Sequence, residues 1–390
     1  MIWKSNFLLL VTFMIALSNA PQSEAQQADQ VVRFATYNLS LYGKQAGEVA
    51  SRLSDGNDRQ AKNLASVIQT VRPDIILLNE IDFDADDKTL NLFADKYLAV
   101  DQENCSAMEY PFRYGVPTNT GLDSTIDIDN DGKLSGPNDA WGYGVYPGQY
   151  AMAVLSRYPI DQDAIRTFQQ WKWSDTPNAL RPVDPNTSKP YYDDTVWKLL
   201  RLSSKNHVDV PIAIGDSTVH LLASHPTPPV FDGPEDRNGC RNHDEIHFWI
   251  DYIDGGAGDY LVDDQGRRGG LKTSDSFVIV GDLNADANRG DGKQDAIERL
   301  QSHPRLSDPA PTHALPAIES AGKTVVSDSI TTAAFNGGMR VDYCLPSAQW
   351  KVSDSGVFWP APQDSRSKWI RASDHRLVWV DVTIEKDGEQ

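Results

Sequence analysis

The stretch Ser276-Phe277-Val278-Ile279-Val280-Gly281-Asp282-Leu283-Asn284-Ala285-Asp286 reads as a buried strand delivering polar chemistry at its end. The apolar run 277–280 stops at Gly281, as a strand does when its last residues reach a sheet edge. Asp282 and Asn284 are two apart, so in extended backbone they share a face, an anionic acceptor beside a neutral amide. Such a pair can hold a water and a phosphoryl oxygen side by side. Taken alone, Gly-Asp-Leu-Asn is more often a turn with a helix cap. The ends of the other strands decide between the two readings.

Working outward, 31–39 alternates and is rich in β-formers, which predicts a strand ending in Thr36-Tyr37-Asn38. Ala61, Leu64, Val67, Ile68 and Val71 have helical spacing over 59–71, and Pro73 stops the helix. The apolar strand over 74–78 then runs into Asn79-Glu80, a βα step that brings Glu80 to the same edge region as Asn38. A helix is expected over 88–97 and a strand over 150–155. Further strands are expected over 197–203 and 210–214, with Arg201, Lys205 and His207 as loop-borne basic groups between them. These are the nearby cations that could grip an anion. The strand 217–224 delivers His225-Pro226. A helix over 295–300 follows the central strand. The strand 339–345 puts Asp342 on the face opposite Val341 and Tyr343, and 351–357 is another strand. Ser373-Asp374-His375-Arg376 then leads into a final strand over 377–384.

Two regions interrupt this rhythm, near 103–149 and 166–206, and within the second 171–192 reads as an exposed loop over a site or edge. Inside the first lies Asp127-Ile128-Asp129-Asn130-Asp131-Gly132-Lys133-Leu134. Acids at loop positions one, three and five with Gly at six match the opening of a calcium loop. The twelfth position is Asn138, so the usual bidentate carboxylate is missing and a solvated acidic loop is the competing reading. His243 and His247 are four apart on a predicted helix over 236–253, which suggests zinc. The residue after His243 is Asp244, where the metalloprotease pattern needs Glu, and no third ligand is indicated. Polar helix surface, with Ile246, Trp249 and Ile250 packed inward, is the preferred reading.

Lys4, an apolar run over 7–17 and Ser23-Glu24-Ala25 have the layout of a secretory leader cleaved after Ala25, leaving a soluble, secreted (extracellular or periplasmic) chain. In such a compartment Cys105 and Cys240, both in polar, loop-like sequence, could pair. Cys344 reads as a buried thiol. The net charge of −19 disfavours nucleic acid as a partner, since nucleic-acid binders cluster Lys and Arg against phosphate. A divalent metal could supply the positive charge instead.

Asn38, Glu80, His225, Asp282, Asn284, Asp342, Asp374 and His375 thus fall at or beside strand ends throughout the chain. Hard oxygen donors with two histidines suit metal-assisted hydrolysis, and the lack of thiolates favours Mg²⁺, Mn²⁺ or Ca²⁺ over zinc. In order, Thr36-Tyr37-Asn38, Leu78-Asn79-Glu80, Ser224-His225-Pro226, Gly281-Asp282-Leu283-Asn284, Arg340-Val341-Asp342-Tyr343 and Ser373-Asp374-His375 resemble the endonuclease/exonuclease/phosphatase superfamily, the DNase I-like fold. Asn79 departs from the family's usual Gln.

The resemblance implies a single domain over 26–390, an α/β (α+β) four-layered sandwich of two packed, mostly antiparallel sheets flanked by helices. It also implies metal ligation by Glu80 with Asn38 and Asp374, and orientation of water by Asp282. Asn284 would hold a phosphoryl oxygen. His375, set by Asp342, would be a base or phosphate contact, and His225 would contact the phosphate or help the leaving group. The expected activity is a Mg²⁺- or Mn²⁺-dependent phosphoesterase acting on small phosphomonoesters or phosphodiesters. An extracellular endonuclease and a calcium-stabilised, non-catalytic binding protein reusing the fold are the alternatives.

Overall fold

Val32 and Phe34 on one side of the first strand, and Ala35, Tyr37 and Leu39 on the other, are all fully buried or nearly so. A strand covered on both faces needs a layer above and a layer below, and the computed structural model supplies both. It describes residues 1, 30–84, 86–314, 318–320, 323–326 and 328–384; apart from Met1, the expected leader lies outside the described residues.

The strands of the two large sheets are β1 (Gln30–Leu41), β2 (Ile75–Ile81), β3 (Phe112–Val116), β4 (Ala151–Ser156), β5 (Arg166–Thr167), β6 (His207–Ile214), β7 (Ser217–Ser224), β8 (Ser276–Asp282), β9 (Asp342–Pro346), β10 (Lys351–Val357) and β11 (Val378–Ile384). They form a six-stranded sheet, β10-β11-β1-β2-β4-β3, and a five-stranded sheet, β9-β8-β7-β6-β5. Each sheet has one parallel pair, β1 with β2 and β8 with β7, and is otherwise antiparallel.

Side-chain parity assembles the layers. Val32, Phe34, Ile75, Leu77, Val219, Leu221, Val278, Val280, Cys344, Val378 and Val380 pack together between the two sheets. The alternate residues Ala35, Tyr37, Ile76 and Leu78 meet helix α1 (Arg59–Val71) through Leu64, Val67 and Ile68. Leu222, Phe277, Ile279, Tyr343 and Leu345 meet α2 (Arg237–Ile253) and α3 (Gln294–Gln301) through Ile246, Trp249, Ala296 and Ile297. The result is helix, sheet, sheet, helix. Asp58 starts α1 by accepting the Ala61 N–H, and the left-handed Arg72 ends it before Pro73.

The same parity places the site. Asn38, Asp282 and Asp342 continue the faces of Phe34, Val280 and Cys344, so each belongs to the inter-sheet core at the end where that core turns polar.

Several expectations are corrected. The segment 197–203 is not a strand: Asp193 accepts the N–H groups of Thr195 and Val196 and opens a short helix, Asp194–Trp197, leaving only a bridge from Arg201 to Lys172. His207 is not a loop cation but a buried residue that begins β6. Residues 339–341 precede β9 rather than start it, with Met339 bridged to Ala333. The irregular segment 103–149 contains β3, an edge strand on β4. Residues 171–192 do not simply cover an edge, because Trp173 is buried and donates its indole N–H to Asp244 on α2 at 2.6 Å.

All three thiols are free. Cys105 packs with the layer outside the first sheet and Cys240 with the layer outside the second, so two sheets separate them. Among the described residues no helix is long and apolar enough to cross a membrane.

Candidate active site

Glu80 is reached by a break in the pairing. β1 and β2 pair Asn38 with Asn79 and then skip to Leu41 with Ile81, so the register slips at Ser40 and Glu80. By strict alternation Glu80 would follow Leu78 towards α1. Instead it takes a left-handed backbone, φ 54°, as does Ser40 at 47°. Non-glycine residues rarely hold that conformation unless their surroundings enforce it, and such strain gathers at functional sites. Asn284 does the same at φ 52°, where its N–H caps Asp282 Oδ1 at 2.9 Å. Gly281 has φ 154°, and a Cβ there would lie 2.0 Å from the Ser224 carbonyl oxygen, so only glycine lets β8 approach β7 just before Asp282 and Asn284.

Three side chains meet at Asp282. Its Oδ2 accepts from Asn38 Nδ2 at 3.0 Å and has the Nε2 atoms of His225 and His375 each at 3.5 Å. On its far side His375 turns Nδ1 to both oxygens of Asp342, at 2.9 and 3.2 Å. The Asp342 backbone N–H, with that of Val341, is fixed by Thr332 Oγ1. Ser373 ties the end of β1 to the segment leading into the neighbouring β11: its hydroxyl donates to the Asn38 carbonyl at 2.7 Å and accepts the His375 N–H at 3.0 Å. Asp374 is exposed at the rim and accepts from Ser40 Oγ at 2.7 Å. Asn284 commits one amide hydrogen to the Pro226 carbonyl at 3.1 Å and keeps the other.

Burial and charge then separate the two imidazoles. Burial opposes a charge on His375, but Asp342 and Asp282 outweigh it and raise its pKa, so this ring is a cation at neutral pH. His225 is pushed well below the ordinary histidine range by burial, then by Lys205 and His375, and stays neutral with Nδ1 unbonded. Asp282 is raised by burial and by Asp342, against the pull of His375. Glu80 is raised by burial, with His375 and the Asn38 amide pulling the other way.

Glu80 is a half-buried carboxylate held in a strained turn, which a bound cation would relieve. Glu80, Asn38 and Asp374 therefore fit a hard divalent ion, having oxygen donors and no thiolate. His375 and the Asn38 amide act on both Glu80 and Asp282, which links the Glu80 side of the site to the Asp282 cluster.

Lys205 reaches the same cluster and stood out in sequence only as one of three basic groups. It is 6% exposed, and among the described residues its ammonium has no hydrogen bond or ion pair. Burial lowers its pKa, while Glu245, Glu80 and Asp282 pull the other way. A buried cation without a partner is costly unless a ligand completes it. The two interrupting regions hold it in place. The Asn119 N–H donates to the Lys205 carbonyl, and the Asn119 side chain donates to Gln169 and Ser203. Glu245 binds the N–H groups of Ser204 and Thr227 at 2.7 and 2.6 Å, tying this segment to the loop after His225.

The calcium-loop residues are only partly brought together. Asp127 and Asp129 converge with the buried Asp139, whereas Asp131 turns to Lys133 at 2.6 Å. His243 and His247 do not form a zinc site: His243 is buried, not surface, and lies between Asp244 and Asp295 at 2.8 and 3.1 Å, while His247 turns to Asp251.

Fold and site together define a four-layered α/β sandwich with carboxylates, an amide and two imidazoles at the polar end of its inner core. The model of the Endonuclease/Exonuclease/phosphatase family matches residues 35–375, and the chain belongs to that family. No curated protein matches the sequence. Among solved structures, the chain is similar to an endonuclease/exonuclease/phosphatase from Beutenbergia cavernae (16% identity, TM-score 0.49, covering 91% of this chain and 72% of that one). It is also similar to a family protein from Leptotrichia buccalis (15%, 0.48, 91% and 100%) and to sphingomyelinase C from Streptomyces griseocarneus (14%, 0.44, 90% and 99%).

Proposed function

We propose that the protein is a divalent-metal-dependent phosphoesterase that hydrolyses small phosphomonoesters or phosphodiesters, acting outside the cytoplasm once its leader is removed. The observation that carries this reading is the convergence on one buried oxygen, Asp282 Oδ2, of Asn38 at 3.0 Å and two imidazole nitrogens at 3.5 Å. A carboxylate positioned in this way, with its pKa raised towards neutrality, is suited to take a proton from water.

In this reading the water oxygen bonds to phosphorus, its proton passes to Asp282, the ester P–O bond breaks and the leaving oxygen gains a proton. His375, kept cationic by Asp342, and Lys205 face the negative charge that grows on the phosphoryl oxygens. The second amide hydrogen of Asn284 serves the same oxygens. Neutral His225 is placed to contact the phosphoryl group or assist the leaving oxygen. A divalent ion held by Glu80 and Asn38, with Asp374 at the rim, would draw charge from those oxygens as a Lewis acid.

The test is release of product from an aryl phosphomonoester and an aryl phosphodiester with Mg²⁺, Mn²⁺ or Ca²⁺, then with chelator, beside His375→Ala. Turnover indifferent to both chelator and substitution refutes the mechanism. Plasmid nicking under the same conditions, with the small esters untouched, transfers the reading to an endonuclease. Metal binding without any turnover leaves a non-catalytic binding protein.

A further inference from the structure

Beside Glu80 stands a group of tyrosines that the hydrolytic steps do not use. Tyr42 and Tyr150 meet edge to face with ring centroids 4.6 Å apart, and Tyr42 is 39% exposed. The charge of Glu80 acts on both rings, that of Asp374 on Tyr42, and Tyr143 lies near Tyr150. Neither the Tyr42 nor the Tyr150 hydroxyl has a hydrogen-bond partner among the described residues. Tyr143 and Val145 are more than half exposed, which extends the apolar surface outward from the site.

Tyr150 is also held at φ 56°, immediately before β4, a backbone that a bulky aromatic residue avoids unless something enforces it. The chain therefore accepts local strain to keep this ring against Tyr42 at the metal-ligand side of the site.

We infer that Tyr42 and Tyr150 form a subsite for the organic group of the ester, and that this group carries a planar aromatic ring. The inference rests on the phosphoesterase reading and names its substrate class. A phosphoryl group facing Lys205 and the imidazoles leaves one substituent pointing along Glu80 onto the tyrosine edges. An aromatic pair with one open side favours an offset or edge-on third ring over a flexible alkyl chain. The two unbonded hydroxyls supply polar contacts at that ring's rim. Hydrolysis itself is unchanged: water adds to phosphorus and the ring-bearing alcohol departs with the proton.

The experiment compares benzyl and butyl phosphate, with the corresponding diesters, as substrates of the purified chain with Mn²⁺. Their alcohols have similar acidity, so a difference in kcat/KM reports recognition rather than leaving-group chemistry. The wild type is expected to prefer the benzyl esters about tenfold. In Tyr42→Ser and in Tyr150→Asn, which tolerates the left-handed backbone, that ratio should fall towards one while circular dichroism stays native. Equal kcat/KM for both esters in the wild type overturns the inference. So does a loss in the variants by the same factor for both esters. Absence of metal-dependent turnover of any of the four esters overturns the underlying phosphoesterase reading, and the inference with it.

Discussion

Replacing Asp342 by Asn isolates what the buried carboxylate does for His375. The perturbation is nearly isosteric, and Asp342 is fully buried with its backbone N–H fixed by Thr332, so the local chain should hold its shape. What changes is the charge 2.9 and 3.2 Å from His375 Nδ1. Two unit charges about 4 Å apart interact by roughly 4 kcal/mol at an effective dielectric near 20. At 1.36 kcal/mol per unit this corresponds to about three pKa units. His375 should then lose much of its positive charge at neutral pH, and with it a charge-assisted contact to the phosphoryl oxygens. A single pre-organised donor of this kind contributes about 10²- to 10³-fold to kcat.

The assay is a pH–rate profile of kcat and kcat/KM on an aryl phosphate with saturating Mn²⁺. A group needed as a cation is lost as pH rises through its pKa. The alkaline limb of Asp342→Asn should therefore fall at lower pH than that of the wild type, by up to about three units. The loss should also be non-additive, with Asp342→Asn/His375→Ala no slower than His375→Ala alone. A variant within threefold of wild type, or one slowed equally at every pH, would refute the assignment.

Lys205→Met should lower kcat/KM by about 10- to 100-fold, from the roughly 1.5–3 kcal/mol of a charged hydrogen bond, while thermal unfolding in the presence of Mn²⁺ shows no loss of stability. A destabilised variant with normal kinetics would reduce Lys205 to a structural role. His207 is lowered to about 4 by burial, with Nε2 bonded to the Glu245 carbonyl and Nδ1 to Ser203. Its folded pKa lies below the unfolded one, so the unfolded chain binds the extra proton and stability falls as pH drops. Between pH 7 and pH 5 this amounts to about 2 kcal/mol, and urea titrations of His207→Gln should show a shallower decline; an unchanged slope would contradict the buried neutral ring. At the acidic loop, Ca²⁺ should raise the melting temperature of the wild type and have less effect on Asp127→Asn/Asp139→Asn. An equal shift, or none, would make the loop a solvated turn.

Much of the fold could be read from period-two patterning, because inner and outer faces of the same strands are both buried and the polar residues continue the inner face. Phe34 to Asn38, Val280 to Asp282 and Cys344 to Asp342 are each legible in this way. Glu80 is picked out in the sequence by its place at a strand end, yet alternation aims it at α1, and only the left-handed turn redirects it. The short helix after Asp193 was missed although the capping aspartate was available as a signal. The strand β3 was hidden inside a segment rich in loop residues, since an edge strand of five residues carries little pattern of its own. Lys205 and Tyr150 could not be ranked from sequence. Burial without a partner is a property of the assembled site, and so is a strained backbone.

The central claim, that Glu80 and its neighbours hold a divalent ion serving the Asp282 cluster, is tested most directly by Mn²⁺-dependent turnover of the wild type beside Glu80→Gln. The account predicts turnover that saturates with Mn²⁺ and vanishes with chelator, and a Glu80→Gln variant that needs far more Mn²⁺ and loses at least about 10²-fold in kcat/KM. Indistinguishable Mn²⁺ titration curves for the two proteins would contradict it.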